Sequence, residues 1–306
     1  MDIIGAGLSG LIAAHIWPNA RLYEIASGPQ AQHKALLRFR SDVVAQTTGI
    51  EFKHVKVRKG IWDTDVGAFI KPDIRVANQY CIKCLGSIQP ERSIWNIEPV
   101  ERFIAPENFY EQLIDNCGHR IEWGVDADMA TFAMSTQPII STIPLPALLI
   151  KLDHIGKATI QFNRSPITVH RFRIPGCEAY QTIYYPTSFH SIYRASITGS
   201  LLIVEHVGAP YGHGLSDVLA SLGLPIGTML EDLGGVAQEY GKIVPIEDSM
   251  RKRILFDITH EHNIYSLGRF ATWRNILLDD IIHDAAVIKR LINSSHHYDL
   301  AKELMR

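Results

Sequence analysis

DIIGAGLSGLIAAHIWPNARLYE, residues 2–24, is the stretch whose reading decides the fold. Asp2-Ile3-Ile4 is short, apolar and β-branched, and predicts a buried strand. Gly5-Ala6-Gly7-Leu8-Ser9-Gly10 follows at once, and Leu8, Leu11, Ile12 and Ile16 then recur at helical spacing. Pro18 disfavours helical geometry at Trp17, so the helix is expected to stop near there. Arg21-Leu22-Tyr23-Glu24-Ile25 reads as a second strand with an acid near its end. A lone GxGxxG is a weak signal. Set between a strand and a helix, with an acid about 20 residues on, it is the dinucleotide-binding fingerprint. Gly5 allows the tight turn, Gly7 lets backbone N–H groups approach a pyrophosphate, and Gly10 lets the helix pack on the strand. The helix N-terminus adds partial positive charge. Glu24 accepts from ribose hydroxyls, and its charge disfavours a 2′-phosphate. The expected ligand is FAD or NAD rather than NADP; the competing reading is a chance Gly-rich turn.

The chain has 306 residues, a prior of about two domains. Hydrophobic residues make up 46% and charged residues 20%, which argues against a disordered chain. Lys plus Arg is 30 and Asp plus Glu is 32, which excludes a globally basic, histone-like binder but not a local basic groove. Four cysteines are too few for a disulfide scaffold and point to a reducing compartment. No apolar run reaches the ~18 residues of a membrane span, and no signal segment is visible before the first strand. The expectation is a cytoplasmic protein.

Residues from about 28 to 60 are polar and basic, an excursion from a regular βαβ pattern. Glu51 to Arg58 alternates as a strand, and Arg75 to Arg92 reads as more of that excursion, with strand or turn character. A helix is expected after Pro106, and strands at Arg120–Trp123 and over the apolar stretch Gln137–Pro144, which ends at a Pro-rich loop. Residues 155–206 read as a run of strands (Ala158–Phe162, Ile167–Phe172, Thr182–Tyr185, Ser191–Ile197, Leu201–Glu205), which suggests an antiparallel sheet. Asp217–Leu222 and Thr228–Glu239 read as helices. Asn263–Arg269 reads as a strand before a helix from Leu277, with Asp279 as its N-cap.

Three segments resemble the FAD-dependent superfamily of amine oxidases, protoporphyrinogen oxidase and UDP-galactopyranose mutase. They are Ile4 to Glu24, Ile139-Ile140-Ser141-Thr142-Ile143-Pro144, and Tyr265-Ser266-Leu267-Gly268-Arg269-Phe270-Ala271-Thr272-Trp273-Arg274 with Leu278-Asp279-Asp280-Ile281. The resemblance selects FAD over NAD. It implies an α/β chain: a Rossmann-type FAD-binding domain with an interleaved, strand-rich α+β substrate domain. The FAD domain is expected from residues 1–35, 101–150 and 236–306, and the substrate domain from 36–100 and 151–235. The cofactor candidates are Gly5, Gly7, Leu8, Ser9, Gly10, Glu24, Gly268, Arg269, Asp280 and Ile281. The resemblance places the last helix N-terminus at the flavin ring, with free N–H groups expected at Asp280–Ile282. The family's Gly-Gly pair and Arg are missing after the ribose acid, and Arg38 or Arg40 stands as the replacement.

Other constellations are weaker. Cys81-Ile82-Lys83-Cys84 lacks the further ligands of a zinc site and reads as structural thiols. His260-Glu261-His262 reads as a solvated loop, and no metal is expected. Tyr184, Tyr185 and Arg194 are the substrate-side candidates, because aromatic side chains wall the flavin face in related amine oxidases; ordinary sheet-core aromatics are the alternative. Lys53 to Lys59 is a basic strand, either a groove for a diphosphate or nucleic acid or a solvated edge.

The expected function is an FAD oxidoreductase, amine-oxidase-like, that oxidises a carbon next to nitrogen. The substrate class extends to an amine on a modified nucleic-acid base, as in bacteriophage thymine hypermodification. The alternative is a UDP-galactopyranose mutase-like enzyme on a sugar nucleotide. No second GxGxxG is present, so re-oxidation by oxygen or another diffusible acceptor is expected. A non-enzymatic scaffold is opposed by the intact glycines and Glu24.

Overall fold

A computed structural model describes residues 1–29, 37–88, 94–127, 137–154, 160–225 and 227–293. Two sheets organise them. The first is parallel, with β1 (Asp2–Ile4), β2 (Arg21–Glu24), β7 (Ile121–Trp123), β8 (Ile139–Ser141) and β14 (Ile264–Ser266) in the order β14-β8-β1-β2-β7. Its strands are apolar on both faces because helices cover both. Ile3, Leu22, Ile140 and Tyr265 pack toward α1 (Leu8–Ile16), α2 (Val43–Thr48), α4 (Phe109–Cys117) and α8 (Leu278–Asn293). Ile4, Ile139 and Ile264 pack toward α5 (Leu145–Lys151) and α7 (Asp248–His262).

The second sheet has nine strands, in the order β13-β9-β12-β11-β10-β4-β6-β3 with β5 on β4. These are β3 (Arg38–Phe39), β4 (Lys53–Asp63), β5 (Ala68–Ile70), β6 (Val100–Ile104), β9 (Arg164–Arg173), β10 (Ala179–Tyr184), β11 (Ile192–Gly199), β12 (Leu201–Val207) and β13 (Glu231–Ile243). β9 to β12 are antiparallel neighbours, whereas β4 joins β10 in parallel. One face packs Ile61, Tyr193, Ile203 and Val169 against Val76, Tyr80 and Cys84 of α3 (Ile74–Leu85). The other packs Ile183, Tyr185, Ala195 and Val204 against Val218 of α6 (Gly214–Ser221).

Several local expectations are corrected. Arg75 onward forms α3, capped by Asp73 accepting from the Val76 N–H at 2.7 Å. Cys81 and Cys84 therefore sit one turn apart on a helix, both buried. Thr228–Glu239 is not a helix: β13 runs through it, paired along β9, so sheet pairing overrides local propensity. Gly235 and Gly241 suit that strand, since a Cβ there would strike His170 and Ile167. The strand expected at Ala158–Phe162 is not seen in its described part, since 160–163 are irregular and β9 begins only at Arg164; 155–159 lie outside the described residues. His260-Glu261-His262 ends α7, with His260 stacked on Phe256. Asp279 lies inside α8 and is not its N-cap. The basic run is paired along its length, by β6 over Lys53–Val57 and by β10 from Arg58 on, with one strand partner at each position. No described helix is long and apolar enough to cross a membrane.

Candidate functional site

The β1–α1 turn is built by backbone geometry. Gly5 has φ +95° and its N–H donates to Tyr23 O at 2.8 Å. A Cβ on Gly10 would lie 1.8 Å from Gly5 O, so only glycine lets the helix pass this close. Above Gly7 a Cβ would meet nothing within 4 Å. Gly7 is the N-cap and makes no side-chain cap, so the Leu8, Ser9 and Gly10 N–H groups face that space without intrahelical acceptors. Glu24 spans the turn: its carboxylate accepts from Ala6 N–H at 2.7 Å and Ala26 N–H at 3.0 Å. Each oxygen keeps acceptor capacity for a hydroxyl. This cradle fits a dinucleotide.

The C-terminal segment closes on the same turn. The Leu267 N–H donates to Ser141 O at 2.9 Å. Gly268 has φ +101°, and a Cβ on it would lie 2.5 Å from Ser9 Oγ. The two glycine-bearing segments, distant in sequence, thus touch. Thr142 Oγ1 donates to Ile4 O at 2.8 Å, so the middle segment packs there too. Arg269 donates to Gly241 O at 3.4 Å, joining this segment to β13. Trp273 Nε1 donates to Val244 O at 2.9 Å beside it. Arg274 is ion-paired with Asp284.

The start of α8 differs from expectation. The Asp280 N–H already bonds Leu277 O at 3.1 Å, and its carboxylate returns the cap by accepting from the Leu277 N–H at 2.8 Å. Ile281 is buried in the core. The Asp280 N–H is therefore not available to a ligand, and the helix's unpaired first-turn N–H groups begin at Leu278 and Asp279, two residues ahead of the expected start. Asp279 is buried and accepts from the Arg40 and Ser41 N–H groups, both at 3.1 Å, and from Ser41 Oγ at 3.3 Å. Arg40 also pairs with Asp280. Asp279→Ala is expected to strand these donors and cost on the order of 2 kcal/mol, read as a lower urea midpoint.

Facing this segment is one side of the second sheet. Register puts Tyr184, Arg194 and Glu205 side by side on β10, β11 and β12. A bulge between Ile192 and Arg194 lets Tyr193 reach the same side. Glu205, 2% exposed, accepts from Tyr193 OH at 2.8 Å and from Arg194 through two nitrogens, one at 2.7 Å. Burial opposes the charge of Arg194, but the Glu205 carboxylate outweighs it and holds that guanidinium well above its ordinary range. Arg194 stays 29% exposed, so it reaches the cleft. Arg38 donates to Thr182 Oγ1 at 2.6 Å, Thr198 Oγ1 at 2.8 Å and Ile197 O at 2.6 Å. Burial and then Arg194 push Arg38 down to about 9. Arg171, opposite Ile203, shares this face. Tyr80 meets Tyr184 edge-on at 5.5 Å. The Lys242 ammonium lies 4.0 Å from the Tyr193 ring centroid.

Tyr184 and Arg194 are thus brought together, and Tyr185 is not. Strand alternation turns Tyr185 to the opposite face. There it is fully buried, and its OH shares a 2.7 Å hydrogen bond with Ser221 Oγ. Tyr185→Phe is expected to cost about 1 kcal/mol of stability and leave flavin spectra unchanged. The basic run also divides: Lys59 and Ile61 point toward Tyr184's side, while exposed Lys56 and Arg58 point away. Lys53 pairs with Glu178 at 2.6 Å and His54 with Glu101 at 3.3 Å. Glu205 went unnoticed in the sequence, although a carboxylate closing Leu201–Val204 is the kind of polar break that marks a buried partner.

A separate polar pocket of about 340 Å³ lies at the β10–β11 connection, lined by Thr64, Asp65, Phe189, His190, His213, Ser216 and Asp217. His190 and His206 are buried and pushed down to about 4, by burial first and positive neighbours second. Between about pH 6.5 and pH 4 the unfolded chain takes up protons that the folded chain excludes, so stability falls with pH. Each histidine is expected to cost about 2 kcal/mol by about pH 5. Urea midpoints flat from pH 7 to pH 5 would contradict this. Among the described residues no cluster of three or more His, Cys, Asp or Glu is arranged to hold a metal ion.

No family model matches the chain, and no curated protein matches it significantly. Solved structures do. Reduced UDP-galactopyranose mutase is similar with TM-score 0.69 at 15% identity, over 99% of this chain and 97% of that one. The CLA-producing fatty acid isomerase of P. acnes gives 0.58 at 12%, over 94% and 97%. A geranylgeranyl bacteriochlorophyll reductase-like protein of Thermoplasma acidophilum gives 0.52 at 11%, over 99% and 82%. The chain has the FAD-binding Rossmann-type fold of the flavoproteins.

Proposed function

We propose that this chain is an FAD-dependent enzyme that acts on a phosphate-bearing substrate, most closely a mutase-like enzyme on a nucleoside-diphosphate sugar. One observation carries the choice of substrate. Arg38, Arg171 and Arg194 share one sheet face, and its carboxylates are already engaged: Glu205 by Arg194 and Tyr193, and Asp63 at the end of β4 by the Asp65 and Val66 N–H groups. Such a face attracts anions and repels a free ammonium. The likeness to UDP-galactopyranose mutase supports the same reading.

Gly5, Gly7, Leu8, Ser9, Gly10 and Glu24 would hold FAD, with Gly268, Arg269 and the start of α8 bordering its ring. Bound flavin supplies electron or hydride exchange and, when reduced, a nucleophile. Arg194 is the residue that holds substrate oxygens, kept charged and oriented by Glu205. The test is conversion of UDP-galactopyranose by FAD-loaded protein, with and without dithionite. Turnover that requires reduction supports the reading. Its absence with several UDP-sugars, in protein that binds FAD, overturns it.

A second reading is favoured by the aromatic wall of Tyr80, Tyr184 and Tyr193. This is oxidation of a carbon next to nitrogen, with the amine carried on a nucleic-acid base whose phosphates meet the guanidinium face. Hydrogen peroxide release with aminated oligonucleotides, and none with UDP-sugars, selects it.

A further inference from the structure

Lys242 is a buried cation that the fold leaves without a counter-charge. Its side chain is 4% exposed, yet among the described residues it makes no hydrogen bond or ion pair; its contact is the Tyr193 ring at 4.0 Å. Its ammonium nitrogen keeps a narrow contact with solvent, and the ring face beside it supplies only a weak attraction. Glu205, the carboxylate bonded to Tyr193, takes two nitrogens of Arg194 and the Tyr193 hydroxyl and forms no ion pair with Lys242. Lys242 therefore adds an uncompensated positive charge. Its place is specific. The preceding Gly241 O accepts from Arg269, and Val244 O, two residues on, accepts from Trp273. Both partners belong to the segment that packs Gly268 on Ser9. Lys242 thus stands where the cationic sheet face meets the flavin segment.

We propose that Lys242 is an anchor for an oxyanion of the substrate, a phosphate in the first instance, with its ammonium placed over the Tyr193 ring that Arg194 also approaches. The inference rests on the phosphate-bearing reading of the cleft but not on the reaction performed there. Residues lacking a local partner are kept where a ligand completes them, at a cost to the free protein.

The experiment uses FAD-loaded protein and two probes, inorganic pyrophosphate and UDP. Binding is read by flavin difference spectra, and thermal midpoints are read with and without probe. Wild type is expected to bind a probe, with Lys242→Met weakening it at least tenfold and Lys242→Arg staying within threefold. FAD affinity should be the same in all three. Without probe, Lys242→Met should melt about 2–4 °C higher, since it removes the uncompensated charge. It should also lose the probe-dependent rise. Equal probe affinity in wild type and Lys242→Met overturns the proposal, as does failure of wild type to bind either probe. If Lys242-dependent probe binding persists while no UDP-sugar is turned over, the mutase reading falls and the anchor stands.

Discussion

Replacing Gly10 with alanine is expected to cost on the order of 3 kcal/mol and to lower the melting temperature by roughly 10 °C. The reason is positional. The new Cβ would sit 1.8 Å from Gly5 O and 2.9 Å from Gly5 C, both backbone atoms, so no side-chain rotation relieves it. Helix α1 must lift off β1, and Leu11, Ile12, Ala13 and Ala14 are all buried beneath it. Gly7→Ala is the matched control. Its φ of −72° suits alanine and its Cβ would meet nothing within 4 Å. That variant should melt within about 2 °C of wild type, yet bind FAD at least tenfold more weakly, because the methyl enters the space offered to the pyrophosphate. Differential scanning fluorimetry without added FAD and fluorescence titration with FAD separate the two. If Gly7→Ala binds FAD as wild type does, the assignment of that space to the cofactor is wrong.

Glu205→Gln is expected to cost about 3 kcal/mol, the lower end for breaking a buried ion pair, because Arg194 keeps a path to solvent. The glutamine retains shape but not charge, so Arg194 loses its counter-ion and Tyr193 its strong acceptor. Arg194→Met on the glutamine background should recover part of the loss. The double-mutant cycle should then show a coupling above about 1 kcal/mol, read from urea unfolding. Additive effects would show that Glu205 and Arg194 act independently, contrary to the geometry. FAD binding should survive in the single variant, since Glu205 lies on the sheet wall rather than in the glycine turn.

The cofactor half of this architecture was legible in the sequence because its determinants are local. Gly5, Gly7 and Gly10 announce a turn that other residues cannot make, and Glu24 follows at a fixed distance. The Gly268 segment was legible only through resemblance; nothing in its own pattern says that it will land on Ser9. The sheet wall was harder. Tyr184 and Tyr185 are adjacent and chemically alike, and strand alternation alone sends one to the cleft and the other beneath α6. The bulge that brings Tyr193 beside Arg194 depends on pairing with β12 and leaves no local mark. Thr228–Glu239 carried helix-like residues, yet pairing with β9 made them strand. Lys242 lies three residues past that stretch on the same strand, and Glu205 reads in sequence only as the end of a strand.

The parallel sheet takes its strands from residues 2–24, 121–123, 139–141 and 264–266, so its order is not the order of synthesis. A chain emerging from the ribosome presents the glycine turn well over two hundred residues before Gly268 can close on Ser9. Contacts this distant in sequence form late. The half-built sheet meanwhile leaves Ile139 and Ile140 on an uncovered edge, a surface that invites pairing with other chains. Because Gly268 packs on Ser9, the glycine cradle is complete only when the last strand of the sheet is in place.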